Sequence, residues 1–455
     1  MQALEENVRI AIKILMRGGL TVLVVALLQW SAALDLVGLD DLVERQLLAF
    51  AQFTVDRAES DNIRLIYINE QGNGSLGDFK EATQRQEWRS RHAQLLLKLN
   101  QAGARVVAFD LVFPHPIEQH LQATEELRNA VAEVKAAGNT HVILGYDKAA
   151  DTDRELLDIC CASDADQAQG VGKVGIARSM SQGNNARAVT DVLMAEVNFG
   201  IAKRGNRPQK VQWPQPMTQT LLRAALNPPS PTEFTGPVID RFREELTIGR
   251  PGIEKTFKVE TRKCTDQSLN CPLAPDADEH WYAFLPVWMG ASGGFVERSY
   301  ASVVGQPSLS EDYRGKIVIV GARVSEEKLS VASSNGSASA WGYQVYARVL
   351  ADLLSDTYLR RPSLWLFWGV LVLAVCIGAL ARRFFKGLKV DVSVPWIGNQ
   401  TLPLALFICL LADAYLALEH LRQAHVLHPI VYHWLAAIGG YYFVHSNPRT
   451  TEDRA

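Results

Sequence analysis

The sequence predicts an α/β domain with a mostly parallel sheet, joined to four transmembrane α-helices, one before the domain and three after it. Two observations support this fold class. Four apolar segments lie near the ends of the 455-residue chain, and between them β-branched runs alternate with amphipathic helical patterns. The formal net charge is only −3 and no basic, aromatic-rich patch is present, so nucleic acid is not an expected partner.

The apolar segments each hold roughly 16–18 residues, at the short end of the ~17–25 that span a bilayer. They are residues 18–34, 363–380, 401–418 and 429–444. The alternative is that they are buried core helices, and the fourth is the weakest candidate for a span. The first could also be a signal peptide, but the long stretch before it favours a retained anchor. Residues 4–17 are amphipathic and basic, and we interpret them as the first turns of a long helix rather than a membrane-surface helix.

Basic residues set the expected orientation. One cluster precedes the first span and another follows the second: Arg9, Lys13 and Arg17, then Arg382, Arg383, Lys386 and Lys389. Both flanks are cytoplasmic under the positive-inside rule, which predicts a multi-pass plasma-membrane protein with cytoplasmic termini. The expected regions are 1–17 cytoplasmic, 18–34 span one, 35–362 periplasmic or extracellular domain, 363–380 span two, 381–400 cytoplasmic loop, 401–418 span three, 419–428 periplasmic loop, 429–444 span four and 445–455 cytoplasmic tail.

The exported domain begins with a β-α-β-α-β pattern. Strands are predicted at 63–69, 105–113 and 140–146, with helices at 88–100 and 117–137 between them. Gly103 and Gly138 are expected to end these helices. A further buried strand at 316–321 and a helix at 341–355 precede the second span, whereas residues 149–312 are less regular and rich in loop signals.

The first three predicted strands each end in an acid: Glu70, Asp110 and Asp147. The carboxyl ends of parallel strands meet at one edge of the sheet, where open α/β folds bind ligands. Adjacent carboxylates need cationic partners, and the available ones are Arg89, Arg91 and Arg323. The sequence therefore nominates Glu70, Asp110, Asp147 and Arg323 as ligand-binding residues. The alternative, which we favour for the acids as a group, is a structural network of carboxylates with arginine or backbone groups.

No motif for catalysis accompanies these acids. The sequence contains no P-loop and no H-E-x-x-H motif, and the chain is not expected to be an enzyme. His92 is the only histidine near the first predicted helix, and we expect it on the helix surface or in a capping position.

Four of the six cysteines fall in the exported domain, where an oxidising compartment permits disulfides. The stretch KCTDQSLNCP indicates a small loop closed by Cys264 and Cys271. The adjacent pair Cys160 and Cys161 do not easily bond to each other, and the sequence does not choose among the full pairings. A tetrahedral metal site is disfavoured because the paired C-x-x-C spacing is missing, and no cofactor is expected.

One acid, Asp413, lies inside the third predicted span. A carboxylate in lipid is costly, so it should face protein. Two interpretations remain open: Asp413 lies near the outer interface, or it pairs with His433 on the fourth span or with a partner's span. In the second case Asp413 and His433 couple the transmembrane helices.

Several stretches, in this order, resemble the second type of CHASE domain, an extracellular sensor attached to bacterial cyclases and kinases. The stretches are IRLIYINE, the helix start with Trp88, Arg91, His92, Ala93, Leu95 and Leu96, and the runs at 102–113, 313–322 and 341–354. The resemblance covers most of 40–361, and the layout of one span before the sensor and three after also resembles the family.

The chain departs from the family pattern in three places. Gly342, Tyr343, Tyr346 and Ala347 stand where members often have G-V-x-x-H-A, and Arg323, Val324 and Ser325 stand where an acid and T-P usually follow. Only a short tail follows the fourth span, so no kinase or cyclase is expected in this chain. The resemblance implies an inner-membrane sensor that passes a periplasmic ligand or envelope state to a separate partner. The alternative is a scaffold subunit of an envelope complex. Sensors of this kind commonly form homodimers, and the sequence leaves the oligomeric state open.

Overall fold

The computed structural model describes residues 16–25, 43, 46–47, 60–71, 73, 76–79, 86–146, 153, 155–156, 171–173, 178–182, 186–199, 209–211, 215–226, 235–240, 245–250, 253–263, 279–287, 294–309, 311–325, 328–333, 336–360, 362–384, 389–394 and 398–443. The chain divides into two units. One comprises Met1–Gln52 with Arg361–Ala455, and the other is Phe53–Arg360. Each unit is described by itself.

The larger unit is built on a seven-stranded sheet in which all paired strands run parallel. The strands, in chain order, are β1 (Ile63–Asn69), β2 (Val106–Val112), β3 (His141–Tyr146), β4 (Val171–Lys173), β8 (Gln215–Pro216), β14 (Val296–Ser299) and β15 (Ile317–Arg323). Their spatial order is β14-β1-β15-β2-β3-β4-β8. The predicted α/β fold with a mostly parallel sheet is therefore confirmed, and β15 is an interior strand between β1 and β2.

Helices cover both faces of this sheet. They are α2 (Arg89–Gln101), α3 (Leu121–Ala137), α4 (Met217–Leu226), α5 (Tyr300–Val304) and α6 (Gly342–Leu354). Side chains alternate along the strands: Ile63 and Leu65 pack on the face with α4 and α6, whereas Ile66 and Ile68 pack on the face with α2, α3 and α5. This period-two alternation between two buried clusters makes a three-layer α/β/α arrangement.

The helices begin and end close to the predicted positions. Leu95, Leu96 and Leu99 form the buried stripe of α2, and each such side chain contributes roughly 1.5–3 kcal/mol of hydrophobic stabilisation. Helix α3 ends at Gly138, whose φ of 69° is a left-handed conformation that glycine adopts without strain. The α3 start differs from the prediction, because Glu118–His120 forms a 3₁₀ turn before the helix.

Two further sheets occupy the region that the sequence left irregular. One contains β5 (Arg178–Gln182), β6 (Ala186–Phe199), β7 (Gln209–Val211), β12 (Glu260–Lys263), β13 (Glu279–Pro286), β16 (Leu329–Ser333) and β17 (Gly336–Ala340). The other is the antiparallel order β11-β10-β9, formed by β9 (Thr235–Asp240), β10 (Glu245–Arg250) and β11 (Ile253–Lys258). The serine-rich stretch before α6 thus forms the hairpin β16–β17.

The smaller unit contains four helices and a hairpin among its described residues. They are α1 (Met16–Val25), α7 (Leu364–Phe384), α8 (Leu404–Ala424), α9 (Ile430–Phe443), β18 (Lys389–Val394) and β19 (Gly398–Pro403). Helices α7 and α9 approach closely at glycines. A Cβ on Gly378 would lie 2.0 Å from the Ala437 carbonyl oxygen, and one on Gly440 would lie 2.2 Å from the Val375 carbonyl oxygen. Small residues at such contacts allow helix backbones to pack together.

Within the described residues, one helical segment is both long and apolar enough to cross a membrane, Trp365–Arg383 in α7. Met16–Val25 is apolar but shorter. By length and composition, one of the four predicted spans is supported. The prediction of four spans is not confirmed.

Candidate functional site

The predicted residues Glu70, Asp110 and Arg323 lie at the carboxyl edge of the parallel sheet. In the strand register Asn69 pairs with Arg323, and Asp110 pairs with Gly321. Glu70 follows Asn69 directly. Strand β15 therefore places the arginine between β1, which Glu70 follows, and β2, which carries Asp110. Asp147, the fourth nominated residue, lies outside the described residues.

Arg323 is held by aromatic and polar groups on all the elements around it. Its guanidinium lies over the ring of Tyr67 at 3.6 Å and over the ring of Trp341 at 4.8 Å. Its Nε donates a hydrogen bond to the Tyr343 hydroxyl at 2.8 Å, and an Nη donates to the Glu297 carboxylate. The Arg323 side chain is only 22% exposed, so these cation–π and charge-assisted contacts are partly shielded from water. These contacts fix the guanidinium at this edge.

Asp110 lies against the start of α6. A Cβ on Gly342, the first residue of this helix, would be 3.0 Å from an Asp110 carboxylate oxygen. Glycine is therefore needed for the close approach, and the carboxylate faces the positive end of the helix dipole. This placement explains why a mostly buried strand carries an acid near its carboxyl end. The negative charge of Asp110 complements a helix that begins over the sheet edge.

Glu70 is engaged by the segment that follows β15. One carboxylate oxygen accepts hydrogen bonds from the Ser325 backbone nitrogen at 3.2 Å and from its hydroxyl at 3.1 Å. The acid thus fixes the chain where it leaves the sheet toward β16. Sequence reasoning had placed this serine only among the departures from the family pattern.

Two residues that the sequence did not nominate complete the cluster. The Gln344 amide donates to Glu297 at 2.6 Å, and its carbonyl oxygen accepts from the Trp341 backbone nitrogen at 3.1 Å. Glu297 lies on the edge strand β14, so it bridges Arg323 and the first turn of α6. Burial raises the pKa of the Tyr343 hydroxyl well above its ordinary value, so this group remains a neutral hydrogen-bonding partner.

Arg89 does not reach the strand-end acids. It is 1% exposed and donates to Asp153 at 3.0 Å, to the Thr124 hydroxyl at 2.7 Å and to the Pro114 carbonyl oxygen. Asp153 also accepts from Arg128 at 2.9 Å. Burial lowers the pKa of Arg89, and the Asp153 carboxylate opposes that shift. This buried network ties α2 to α3, so the role of Arg89 within the described residues is structural.

The expectation that His92 is a surface or capping residue is wrong. His92 is 1% exposed and its Nδ1 lies 2.9 Å from the Tyr300 hydroxyl, also fully buried. The rings of Trp88, Phe109 and Phe113 lie within 5.5–6.3 Å of its ring centroid. Burial, with the Arg89 charge second, lowers the pKa of His92 to about 3. His92 is therefore a neutral core residue.

In the smaller unit, His433 Nδ1 lies 3.3 Å from Asp413 Oδ1. The side chain of His433 is 2% exposed and that of Asp413 is 27% exposed. The two residues therefore share one local environment on α8 and α9. Whether they couple helix movements is a separate hypothesis.

The predicted disulfide cannot be located, because Cys264 and Cys271 lie outside the described residues, as do Cys160 and Cys161. The two cysteines that are described, Cys376 and Cys409, are free thiols. Within the described part of the chain, no group of three or more His, Cys, Asp or Glu residues is arranged to hold a metal ion.

The larger unit is an α/β domain whose parallel sheet carries charged residues at its carboxyl edge. The family model described as the CHASE2 domain matches residues 19–381. Because this match covers most of the chain, the protein belongs to the CHASE2 family, which is a family of extracellular sensor domains. The resemblance seen in the sequence is therefore confirmed. No curated protein and no solved structure matches the chain significantly.

Proposed function

We propose that this protein is a bacterial inner-membrane sensor without enzymatic activity of its own. In this proposal the unit Phe53–Arg360 lies in the periplasm and detects a ligand or an envelope state. The helices α1, α7, α8 and α9 span the membrane with both termini in the cytoplasm, and they pass the signal to a separate partner protein. Membership of the CHASE2 family supports the sensory role. Arg382 and Arg383 in the last turn of α7 support the orientation.

The observation that carries the proposal is the position of α6. Its first residues contact the cluster at the sheet edge: Gly342 lies against Asp110, Tyr343 bonds to Arg323 and Gln344 bonds to Glu297. After α6 ends at Leu354, the apolar helix α7 begins at Leu364. One helix therefore connects the candidate ligand site with the segment that enters the membrane.

The other end of α6 is also fixed by specific contacts. Lys255 on β11 donates to the Leu353 carbonyl oxygen at 3.0 Å and lies 3.1 Å from the Asp356 carboxylate. A lysine at a helix C-terminus complements the negative end of the dipole. Because both ends are tied, a change at the sheet edge would move α6 as a rigid element rather than fray it.

The proposed ligand contacts are Arg323, Glu70 and Asp110, with Asp147 added from the sequence alone. Arg323 is the central group, because a ligand that competes for its guanidinium would release Tyr343 and Glu297 from it. Both partners lie beside the start of α6 or bond to it. Ligand binding would then change the position of the helix.

The test is purification of the tagged full-length chain from its native membranes in mild detergent, followed by mass spectrometry of the proteins that accompany it. A kinase, cyclase or phosphatase at near-equal amount is the expected result. Arg323→Met should then change the activity of that enzyme without changing its amount. The matched control is Arg314→Met, since Arg314 is 72% exposed and bonds only locally to Glu311 at 3.3 Å among the contacts described. If the complex stays intact and Arg323→Met leaves the activity of that enzyme unchanged, the sensing role of this edge is refuted.

The second candidate is a scaffold subunit of an envelope complex. It is favoured by one observation: Glu70 and Arg323 are both engaged in internal contacts, which is the arrangement of a structural network. Under this proposal the same purification would recover secretion, export or cell-wall components, and Arg323→Met would reduce their amount through loss of stability.

A further inference from the structure

Three histidines and one carboxylate lie together where α8 turns into α9. Asp413 and His420 are on α8, His428 is in the connecting segment, and His433 is on α9. Asp413 and His420 are two turns apart on α8, which places them on the same face. No part of the proposed ligand site uses these residues.

The four side chains form a continuous series of contacts. His420 Nδ1 lies 2.6 Å from His428 Nε2, with ring centroids 4.9 Å apart. The His428 and His433 rings follow at 5.7 Å between centroids, and His433 Nδ1 lies 3.3 Å from Asp413 Oδ1. This last contact has the distance of an ion pair but not the direction of a hydrogen bond.

The middle of the series is buried and incompletely bonded. His428 and His433 are 5% and 2% exposed. Within the described part of the chain, His428 Nδ1, both ring nitrogens of His433 and Asp413 Oδ2 have no hydrogen-bond partner. The buried nitrogens therefore have free capacity for protons. A metal is not the indicated occupant, because no such group among the described residues converges on a metal position.

The contact between His420 and His428 limits how many protons the cluster can hold. At 2.6 Å, one of the two facing nitrogens must carry a proton and the other must present a lone pair. A first added proton can bind a ring nitrogen of either histidine that does not face the other ring. A second would place hydrogens on both facing nitrogens and two positive charges side by side, in a site shielded from water.

We propose that Asp413, His420, His428 and His433 form an acid-sensitive cluster. At neutral pH its contacts keep the connection between α8 and α9 ordered, and acidification breaks these contacts so that the connection opens. Asp413 can offset one positive charge next to His433, but not those on His420 and His428. The other ionisable groups nearby are Glu419, Arg422 and His425, and Glu419 pairs with Arg422 at 3.2 Å. From α7 the contact to His433 is the apolar ring of Phe367 at 6.4 Å, so that helix supplies no compensating charge at this contact.

The test is hydrogen exchange of the full-length chain in lipid nanodiscs between neutral pH and mild acid, with rates corrected for intrinsic exchange. Peptides that cover residues 420–434 should lose protection below the ordinary imidazole pKa of about 6.5. The expected slope is about tenfold per pH unit for opening that takes up one proton. His428→Gln retains a hydrogen-bonding side chain that does not titrate, so it should abolish the slope while keeping the neutral-pH protection.

Two further variants keep the result decisive. His420→Gln tests the same contact from the other side if His428→Gln does not fold. His425→Asn is the matched control, because it removes a neighbouring imidazole at a left-handed position, φ 55°, that asparagine tolerates, and it should keep the slope. A wild-type chain without the slope overturns the proposal. So does a slope that persists in both glutamine variants, or one that disappears in His425→Asn.

Discussion

The buried hydrogen bond between His92 and Tyr300 should make single substitutions more damaging than the double substitution. The two side chains are 1% and 0% exposed, and their polar atoms lie 2.9 Å apart. His92→Phe leaves the Tyr300 hydroxyl buried without this partner, and Tyr300→Phe does the same to the imidazole, each at a cost of about 1–3 kcal/mol. Replacing both leaves two apolar rings in an aromatic cluster. We therefore expect the double variant to lose less than the sum of the single losses.

The same site should contribute to acid sensitivity. Burial holds the pKa of His92 at about 3 instead of 6.5, so the folded unit keeps the imidazole neutral while the unfolded chain takes up a proton below 6.5. Stability is therefore fully present above the unfolded pKa and falls as the pH decreases toward 3. Between pH 6.5 and about 4.5 the loss is roughly 2–3 kcal/mol. The double variant lacks this loss.

Thermal unfolding of the full-length chain in detergent, followed by tryptophan fluorescence, measures both effects. Trp88 is a local reporter, since its ring centroid lies 5.2 Å from that of Tyr300. At acidic pH the melting temperature of the wild type should fall relative to the double variant by roughly 5 °C or more. A difference between the two proteins that is the same at neutral and acidic pH would show that His92 is not kept neutral in the folded state. Additive single losses would show that its bond to Tyr300 is not formed.

Three other predictions follow from close contacts and buried charge. Gly321→Ala puts a Cβ 2.5 Å from Cβ of Tyr343, so α6 must move away at a cost of about 1–3 kcal/mol; an unchanged melting temperature would contradict this. Gly440→Ala puts a Cβ 2.2 Å from a carbonyl oxygen of α7 and should lower the detergent stability of the smaller unit, whereas Gly369→Ala, with open space around it, should not. Burial raises the pKa of Asp352 from 3.8 to about 6, so stability should fall as the pH rises through that window. Asp352→Asn should flatten this part of the stability profile, and an equal slope in both proteins would refute the shift.

The parallel sheet could be predicted because its strands carry their own signal. Runs such as Ile63–Asn69 and Ile317–Arg323 are nearly continuous β-branched or apolar stretches, which is typical of strands buried on both faces. Helical periodicity and the glycines at 103 and 138 then fix the intervening helices. Local information was sufficient here because each element has a clear period and a clear end.

The second large sheet could not be predicted in the same way. Its longest strand, Ala186–Phe199, pairs with strands on both sides of it in sequence, including Glu279–Pro286 and the parallel strand Leu329–Ser333. Such pairings join residues far apart in the chain, and strands with many polar residues give a weak local pattern. The serine-rich segment before α6 illustrates the limit, since no strand was predicted there but it pairs as a hairpin.

The candidate site was partly predictable, because three of its residues lie at the ends of strands that have a clear local pattern. Strand order and parallel direction bring Glu70, Asp110 and Arg323 to one edge, and this follows from the ends of three strong strands. The pairing of Arg323 with Glu297 and Tyr343 was missed, because Glu297 lies on the short edge strand β14 and Tyr343 on a helix. His92 was misplaced because a single histidine next to an arginine gives no indication of the aromatic side chains that surround it in space.

Asp110, Glu70 and Arg323 have different structural roles at the sheet edge. These roles determine which of the three can respond to a ligand. Asp110 faces the start of α6, and Glu70 fixes the turn at Ser325, so removing either charge would mainly weaken the local structure. Arg323 is different, because its side chain is 22% exposed and its partners lie on β1, β14 and the start of α6. A ligand can compete for that group without unfolding any single element. Of these three residues, Arg323 is therefore the one through which ligand binding would reach α6 in the proposed sensor.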